Sequence, residues 1–258
     1  MKKMPFYKPY MGYVREAFTY LSFPFLPKYE PAEKFVIFTV GRSGSTLLVS
    51  LLQSHEQIHC DDELFKRKLF SPLRYLRYKS RLSPKSVYGF KLNTYHFRVQ
   101  QTEHPEDFLR EIVNAGYQII SLQRKDLVRQ AISHMYALER DKFHHNISQG
   151  NLDYDVFTVD LNALKSELEL FESYKLQHEK LIAHFDCLQL YYEDDLLDET
   201  SHQRTVDRVA DFLGVSSAPV RTNLVKTTPP KISDFVTNYD DVAEFLRSTV
   251  YASSLSSD

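Results

Sequence analysis

The chain has 258 residues, 43% of them hydrophobic and 26% charged, with a net charge of -2 at pH 7, a balance ordinary for a globular enzyme with one sizeable core. It gives no global drive toward nucleic acid, and no run approaches the roughly 20 apolar residues of a membrane span. No continuous apolar segment follows Met1-Lys2-Lys3 before Arg15-Glu16, so no signal peptide is expected, and Cys60 and Cys187 lack a CxxC partner, as reduced thiols of a cytoplasmic protein would.

Residues 1–31 are rich in Tyr, Phe and Pro. They read as an arm packing its rings onto the domain, with an acceptor-binding or membrane-contacting flap as the alternative. Phe35 to Val40 is an apolar, β-branched and aromatic run, the signature of a strand buried on both faces of a parallel sheet. Gly41-Arg42-Ser43-Gly44 cannot comfortably continue it, and from Ser45 the chain turns helical. That order places free backbone N–H groups and the positive end of a helix dipole at the end of a central strand, which attracts anions. Gly41 and Gly44 let the backbone curl, Arg42 adds a fixed charge, and Ser43, Ser45 and Thr46 offer hydroxyls. A Walker loop would need G-x-x-x-x-G-K-[S/T]; Thr46 stands five residues after Gly41 with no lysine following. A magnesium-dependent kinase or GTPase is therefore disfavoured.

In Ile58 to Phe65, Asp61 or Asp62 reads as the cap of a following helix, with Glu63 in its first turn. From Leu64 to Thr102 there is no acidic residue, yet ten basic ones from Lys66 to Arg98, with Tyr75 and Tyr78 interleaved. This is a solvated basic face or a lid for an acidic acceptor or anionic membrane surface, with nucleic acid well behind. Val87 to Leu92 reads as the second strand, with Lys91 a candidate for the site or an ordinary surface lysine. Pro105 to Ala115 has the spacing of a helix with Phe108, Leu109, Ile112 and Val113 on one side, stopped by Gly116.

Tyr117 to Leu122 is the next strand. Asp126 can cap a helix whose apolar face is Val128, Ala131, Ile132, Met135 and Leu138. Ser133 lies two turns along on nearly the azimuth of Asp126, so Arg124 and Ser133 can reach one anion. His134, His144 and His145 lack a carboxylate or cysteine pattern, and no metal is expected. Asp160 begins a long helix with Leu161, Leu164, Leu168, Phe171, Tyr174 and Leu181 inward. Cys187 to Tyr192 reads as a fourth buried strand, and His202 to Leu213 as a helix stopped by Gly214. Lys226 lies in a proline-stiffened basic loop, and the Ser-rich tail is expected to be mobile.

The run Gly41-Arg42-Ser43-Gly44-Ser45-Thr46-Leu47-Leu48 resembles the 5'-phosphosulfate loop of sulfotransferases that use 3'-phosphoadenosine 5'-phosphosulfate (PAPS). The likeness is to bacterial and cyanobacterial members of the lipopolysaccharide and Nod-factor type. Gly89-Phe90-Lys91, Tyr192-Glu193-Asp194 and Phe212-Leu213-Gly214-Val215 resemble the same group, and the resemblance spans Phe35 to Asp240. It implies an α/β fold, a single P-loop-like domain with a central parallel β-sheet flanked by helices. The organisation expected is an arm over 1–31, a sulfotransferase domain over 32–250 and a mobile tail over 251–258.

The resemblance also implies roles. Arg42, Ser43, Gly44, Ser45, Thr46 and Leu47 would hold the 5' end of PAPS, Arg42 acting in catalysis as well. Arg124 and Ser133 would hold the 3'-phosphate, although their spacing is nine residues where many members have eight; Lys125 has that spacing, so either cation is a candidate. Lys226 would close over the adenosine phosphates. Glu63 would be the general base, with Asp62 and His59 as rivals. The implied acceptor is a hydroxyl or amine of a glycan, glycolipid or small metabolite, with 3'-phosphoadenosine 5'-phosphate (PAP) as product. No metal, nucleic acid or transmembrane segment is implied, and peripheral membrane contact and oligomeric state stay open. A non-catalytic binder of phosphonucleotides or anionic glycans is the alternative.

Overall fold

Phe35, Val36, Ile37 and Phe38 have no exposed surface, and they form the middle of β1 (Glu33–Thr39), the central strand of a parallel sheet. The computed structural model describes residues 16–17, 19–25, 29–140, 145–146 and 155–257. The aromatic residues from Phe6 to Tyr13, and His144, lie outside them. β1 pairs with β3 (Val87–Asn93) on one side and β4 (Tyr117–Gln123) on the other. β2 (Ile58–Glu63) and β6 (Cys187–Tyr191) are the edges, giving the order β2-β3-β1-β4-β6. All four pairings are parallel, so every strand ends on the same rim, where open α/β sheets bind ligands. His145–Asn146 (β5) and Leu224–Val225 (β7) form a separate antiparallel pair.

Period-two alternation sends β1 side chains to both faces. Phe35 and Ile37 pack with α1 (Ser45–Ser54) and α7 (His202–Leu213), while Val36 and Phe38 pack with α4 (Pro105–Asn114) and the end of α6 (Leu161–Ile182). α2 (Pro72–Arg81) and the short α3 (Tyr95–Gln100) lie on that second face through Leu76 and Phe97. α5 (Leu127–Arg140), α6 and α8 (Tyr239–Arg247) share a third apolar cluster with Val40. This is the α/β architecture with a central parallel sheet expected from the sequence. Asp160 caps α6, accepting from the N–H groups of Asn162 (2.8 Å) and Ala163 (3.1 Å), and Asp126 accepts from Arg129 N–H (2.9 Å) at the start of α5.

Three sequence expectations need correction. Ile58 to Glu63 is an edge strand, not a helix cap with Glu63 in a first helical turn: Ile58 and Cys60 insert into the core while His59 and Asp61 stay half-exposed. Cys187–Tyr191 is not a fully buried strand, because at the opposite edge only Leu190 is buried. On α5, Leu138 is 53% exposed; the buried face instead takes in Leu127, Gln130, Ser133 and Tyr136.

Part of the N-terminal segment is fastened to α2. Buried Glu16 accepts from the N–H groups of Phe70 (2.7 Å) and Ser71 (3.2 Å), just before the helix begins at Pro72. The Arg74 guanidinium lies 5.0 Å from the Tyr20 ring and that of Arg81 4.7 Å from the Phe23 ring.

Candidate functional site: an anion-binding loop beside a buried lysine–carboxylate cluster

The link from β1 to α1 is built from two left-handed residues. Arg42 has φ 62 and Gly44 φ 82, whereas Gly41 is not left-handed. A Cβ on Gly44 would come within 2.5 Å of the Tyr192 ring, so glycine is required there twice over. Gly44 is the N-cap of α1 and supplies no side chain, leaving the first N–H groups of the helix facing the sheet rim. Ser43 is fully buried, and its hydroxyl is bonded to that of Thr39, which donates to Leu122 O (2.8 Å). The Ser43 hydroxyl therefore ties the loop to β1 and β4, leaving its backbone as the group available to an anion. Gln130 of α5 donates to Gly41 O and fixes the other side of the loop.

Arg42 points across the rim to α5 and the β7 loop. Its Nε and a terminal nitrogen donate to Ser133 Oγ (3.2 and 2.9 Å), and the terminal nitrogen also donates to Thr227 Oγ1 (3.1 Å). Each hydroxyl accepts from the guanidinium, so its own proton is left to donate elsewhere. Arg124, at the end of β4, donates to Arg42 O (3.1 Å), lies 4.7 Å from the Tyr192 ring and has Nε 3.7 Å from Glu193. Burial pushes the Arg42 pKa down to about 10, with the neighbouring Arg124 charge adding to the effect. Burial also lowers Arg124, against the pull of Tyr192 and Glu193. Two buried, mutually repelling guanidiniums beside a helix N-terminus form a site that an anion relieves.

The sequence placed Arg124 and Ser133 at one anion. The structure brings them together through Arg42, which touches both. Lys125 turns away, its Nζ 2.6 Å from Asp194 at an exposed position. Ser45 is buried and Leu47 half-buried in α1. Lys226 follows β7 and is exposed, while its half-buried neighbour Thr227 makes the Arg42 contact.

Glu63 and Lys91 form the adjoining part of the site. Lys91 is 2% exposed; its Nζ lies 2.6 Å from Asp62, 3.2 Å from Glu63 and donates to Thr46 Oγ1 (3.1 Å) in the first turn of α1. Consecutive residues of a regular strand point to opposite faces. A bulge shifts the register so that Asp61 opposes Phe90 and Glu63 opposes Lys91, leaving Asp62 as the extra residue. Both carboxylates thereby reach one ammonium. Glu63 also accepts from Asn93 Nδ2 (2.7 Å) and Tyr95 OH (2.6 Å). Asn93 N–H donates to His96 Nδ1 (3.0 Å), which leaves the proton of the neutral ring on Nε2, 3.8 Å from Glu63.

Burial alone would raise Glu63, but the His96 ring, the Lys91 charge and the Tyr95 hydroxyl together hold its carboxyl well below the usual carboxylate range. Burial lowers His96 and keeps it neutral. Of the rival bases, Asp62 is exposed beside Lys91. His59 sits four residues back along β2, roughly 13 Å from the rim, facing Asp61 and the Tyr88 ring.

Sequence reasoning left Lys91 undecided, marked Tyr192 only through the resemblance of its strand end, and passed over Asn93, Tyr95, His96, Gln130 and Thr227. The signal for the first three was position: they follow or close β3 on the ligand-binding rim. Thr227 left none.

No protein-family model and no curated protein matches the chain. Among solved structures it is similar to a sulfotransferase from Alicyclobacillus acidocaldarius at 14% identity, covering 89% of this chain and 94% of the other with a TM-score of 0.49. It is also similar to the sulfotransferase domain of the Synechococcus PCC 7002 olefin synthase, at 15% identity, 74% and 76% coverage and a TM-score of 0.43. A third similar structure is mouse sulfotransferase SULT7A1 complexed with PAP, at 15% identity, 92% and 70% coverage and a TM-score of 0.43. These likenesses are distant, and the functional reading rests on the side chains.

Proposed function

We propose that the chain is a PAPS-dependent sulfotransferase acting on a hydroxyl or amine of a glycan, glycolipid or small metabolite. The observation that carries this reading is the continuous polar path from Arg124 and Ser133, through Arg42 and the β1–α1 loop, to Thr46, Lys91 and Glu63. It joins an anion site with two cations to a carboxylate, as phosphosulfate binding beside a general base requires, and the loop carries the sequence resemblance.

PAPS supplies the sulfuryl group and departs as PAP. The backbone N–H groups of Ser43 to Leu47 and the Ser45 and Thr46 hydroxyls bind the 5' end. Arg42 stabilises charge developing on the leaving phosphate oxygen. Arg124 and Ser133 hold the 3'-phosphate, and the segment carrying Lys226 and Thr227 covers it. Lys91 donates toward the group in transfer from beside Thr46, with Asp62 and Glu63 offsetting its charge.

Glu63 takes the proton of the acceptor. Its Oε1 already accepts from Asn93 and faces Lys91, while Oε2 accepts from Tyr95, with His96 Nε2 at 3.8 Å beyond bonding distance, which leaves one acceptor position for an incoming O–H or N–H. A carboxylate with so low a pKa is a weak base at rest. Proton transfer gains driving force when Lys91 swings toward the sulfuryl group and releases Glu63.

The alternative, a binder of phosphonucleotides or anionic glycans without turnover, draws on the weak basicity of Glu63 at rest. Incubation with PAPS and a panel of saccharide, glycolipid and hydroxylated or amine acceptors, read as PAP release and sulfated product, separates the two. We expect turnover, reduced about 100-fold to 1000-fold by Arg42→Ala. Absence of product with every acceptor, despite bound PAP, would support the binder.

A further inference from the structure

The turn between β2 and α2 displays a phenylalanine that folding leaves uncovered and yet holds in place. Buried Gln100 donates to the carbonyls of Phe65 (2.8 Å) and Arg67 (2.6 Å) and accepts from Leu69 N–H (3.0 Å). The Glu16 carboxylate takes the N–H groups of Phe70 and Ser71. With its backbone pinned from both sides, the turn leaves the Phe70 ring 86% exposed. Leu21 and Phe25, at 73% and 88%, come from the segment fastened beside it: Tyr20 OH donates to Ser71 O (3.0 Å), and the Phe23 ring lies among the guanidiniums of Arg74, Arg77 and Arg81.

Cations surround these apolar tips. Lys66, Arg67, Lys68 and Arg74 are exposed, and Lys66 and Arg67 have no acidic partner among the described residues. The chain is slightly negative overall, so the positive charge is local and directional. We propose that this face docks on an anionic lipid bilayer, with Phe70, Leu21 and Phe25 entering the boundary of headgroups and acyl chains and the basic side chains lying over the headgroups. A second copy of the same face would meet it with like charge. A polyanion in water would leave the protruding apolar side chains uncovered. A bilayer satisfies both features.

Lys66 begins three residues after Glu63, within about 10 Å of chain, so a docked bilayer would adjoin the carboxylate cluster. On the sulfuryl-transfer reading that placement favours an acceptor carried on a lipid; the docking itself does not depend on that reading.

The test is flotation of the full chain, without nucleotide, with vesicles of neutral phosphatidylcholine and with vesicles carrying 30% phosphatidylglycerol. The expected result is binding to the anionic vesicles alone, weakened by raised salt. The Lys66→Ala, Arg67→Ala double variant should weaken it by about 25-fold, at about fivefold per charge, and Phe70→Ser by about tenfold. All three residues are exposed, so unchanged melting temperatures would show intact folds. Equal binding to neutral vesicles, no flotation, or wild-type binding by Phe70→Ser would overturn the proposal. So would retention by heparin without vesicle binding, which would mark a polyanion face, or a dimer abolished by Phe70→Ser.

Discussion

Lys91 shows why one residue's surroundings can be hard to read from sequence. A lysine is almost never fully buried unless paired, and its partners Asp62 and Glu63 arrive from β2, 28 residues or more earlier. The cluster gives Glu63 a testable signature. Glu63→Gln should abolish most turnover while leaving PAP affinity within about threefold, because Glu63 touches the loop only through Lys91 and Thr46. An equal loss in both quantities would place Glu63 in binding. Arg124 and Lys125, which sequence spacing could not separate, differ clearly in the fold. Arg124→Ala should weaken PAP binding by about 10-fold to 100-fold, as loss of a buried charge-assisted bond does. Lys125→Ala, removing an exposed partner of Asp194, should change it less than about threefold; isothermal titration of both variants decides.

At the scale of elements, the β1–loop–α1 unit was legible because apolar run, glycine turn and apolar helix follow one another without ambiguity. β2 was not, since His59-Cys60-Asp61-Asp62-Glu63 is rich in residue types that strands avoid. Only the burial of Ile58 and Cys60 against the sheet discloses it, and the bulge that aims Glu63 at Lys91 has no local sequence mark. The glycines of the loop were read as equivalent, and they are not. Gly44→Ala combines a left-handed φ with a Cβ 2.5 Å from the Tyr192 ring, and should cost about 2–4 kcal/mol. Gly41→Ala meets nothing within 4 Å, so its effect on stability should stay within about 0.5 kcal/mol. Thermal melts of the pair check this, and equal destabilisation would refute the asymmetry.

For the whole molecule, a parallel sheet between layers of helices followed from the alternation of strands and helices, while the strand order and the contacts between distant loops did not. Thr227 reaches Arg42 across 185 residues, which only the folded chain reveals. Acid stability is likewise a property of the assembled core. His178 is fully buried, with its ring stacked on Phe38 and Nε2 3.1 Å from Phe38 O; burial pulls its pKa down to about 4, against the hydrogen bond to that carbonyl. Between pH 6.5 and 4 the unfolded chain therefore binds a proton that the folded chain refuses, and stability falls as pH falls, by about 3 kcal/mol in total from this group. His96 acts in the same direction. Glu63 adds its loss only below the ordinary carboxylate value, toward its depressed folded value. Urea melts at pH 6.5 and 4.5 should show this slope in the wild type and a flatter one in His178→Gln; an unchanged slope would remove His178 from the account.

The loop at the rim of β1 and β4 is the proposed PAP and PAPS site. It is tested most directly by the thermal shift of the wild type and Arg124→Ala with PAP, beside ATP plus magnesium. At 100 times its dissociation constant PAP should stabilise the wild type by about 2.7 kcal/mol, with a smaller shift in Arg124→Ala and little from ATP plus magnesium. Absence of a PAP shift in the wild type, or an equal one in Arg124→Ala, would contradict the assignment.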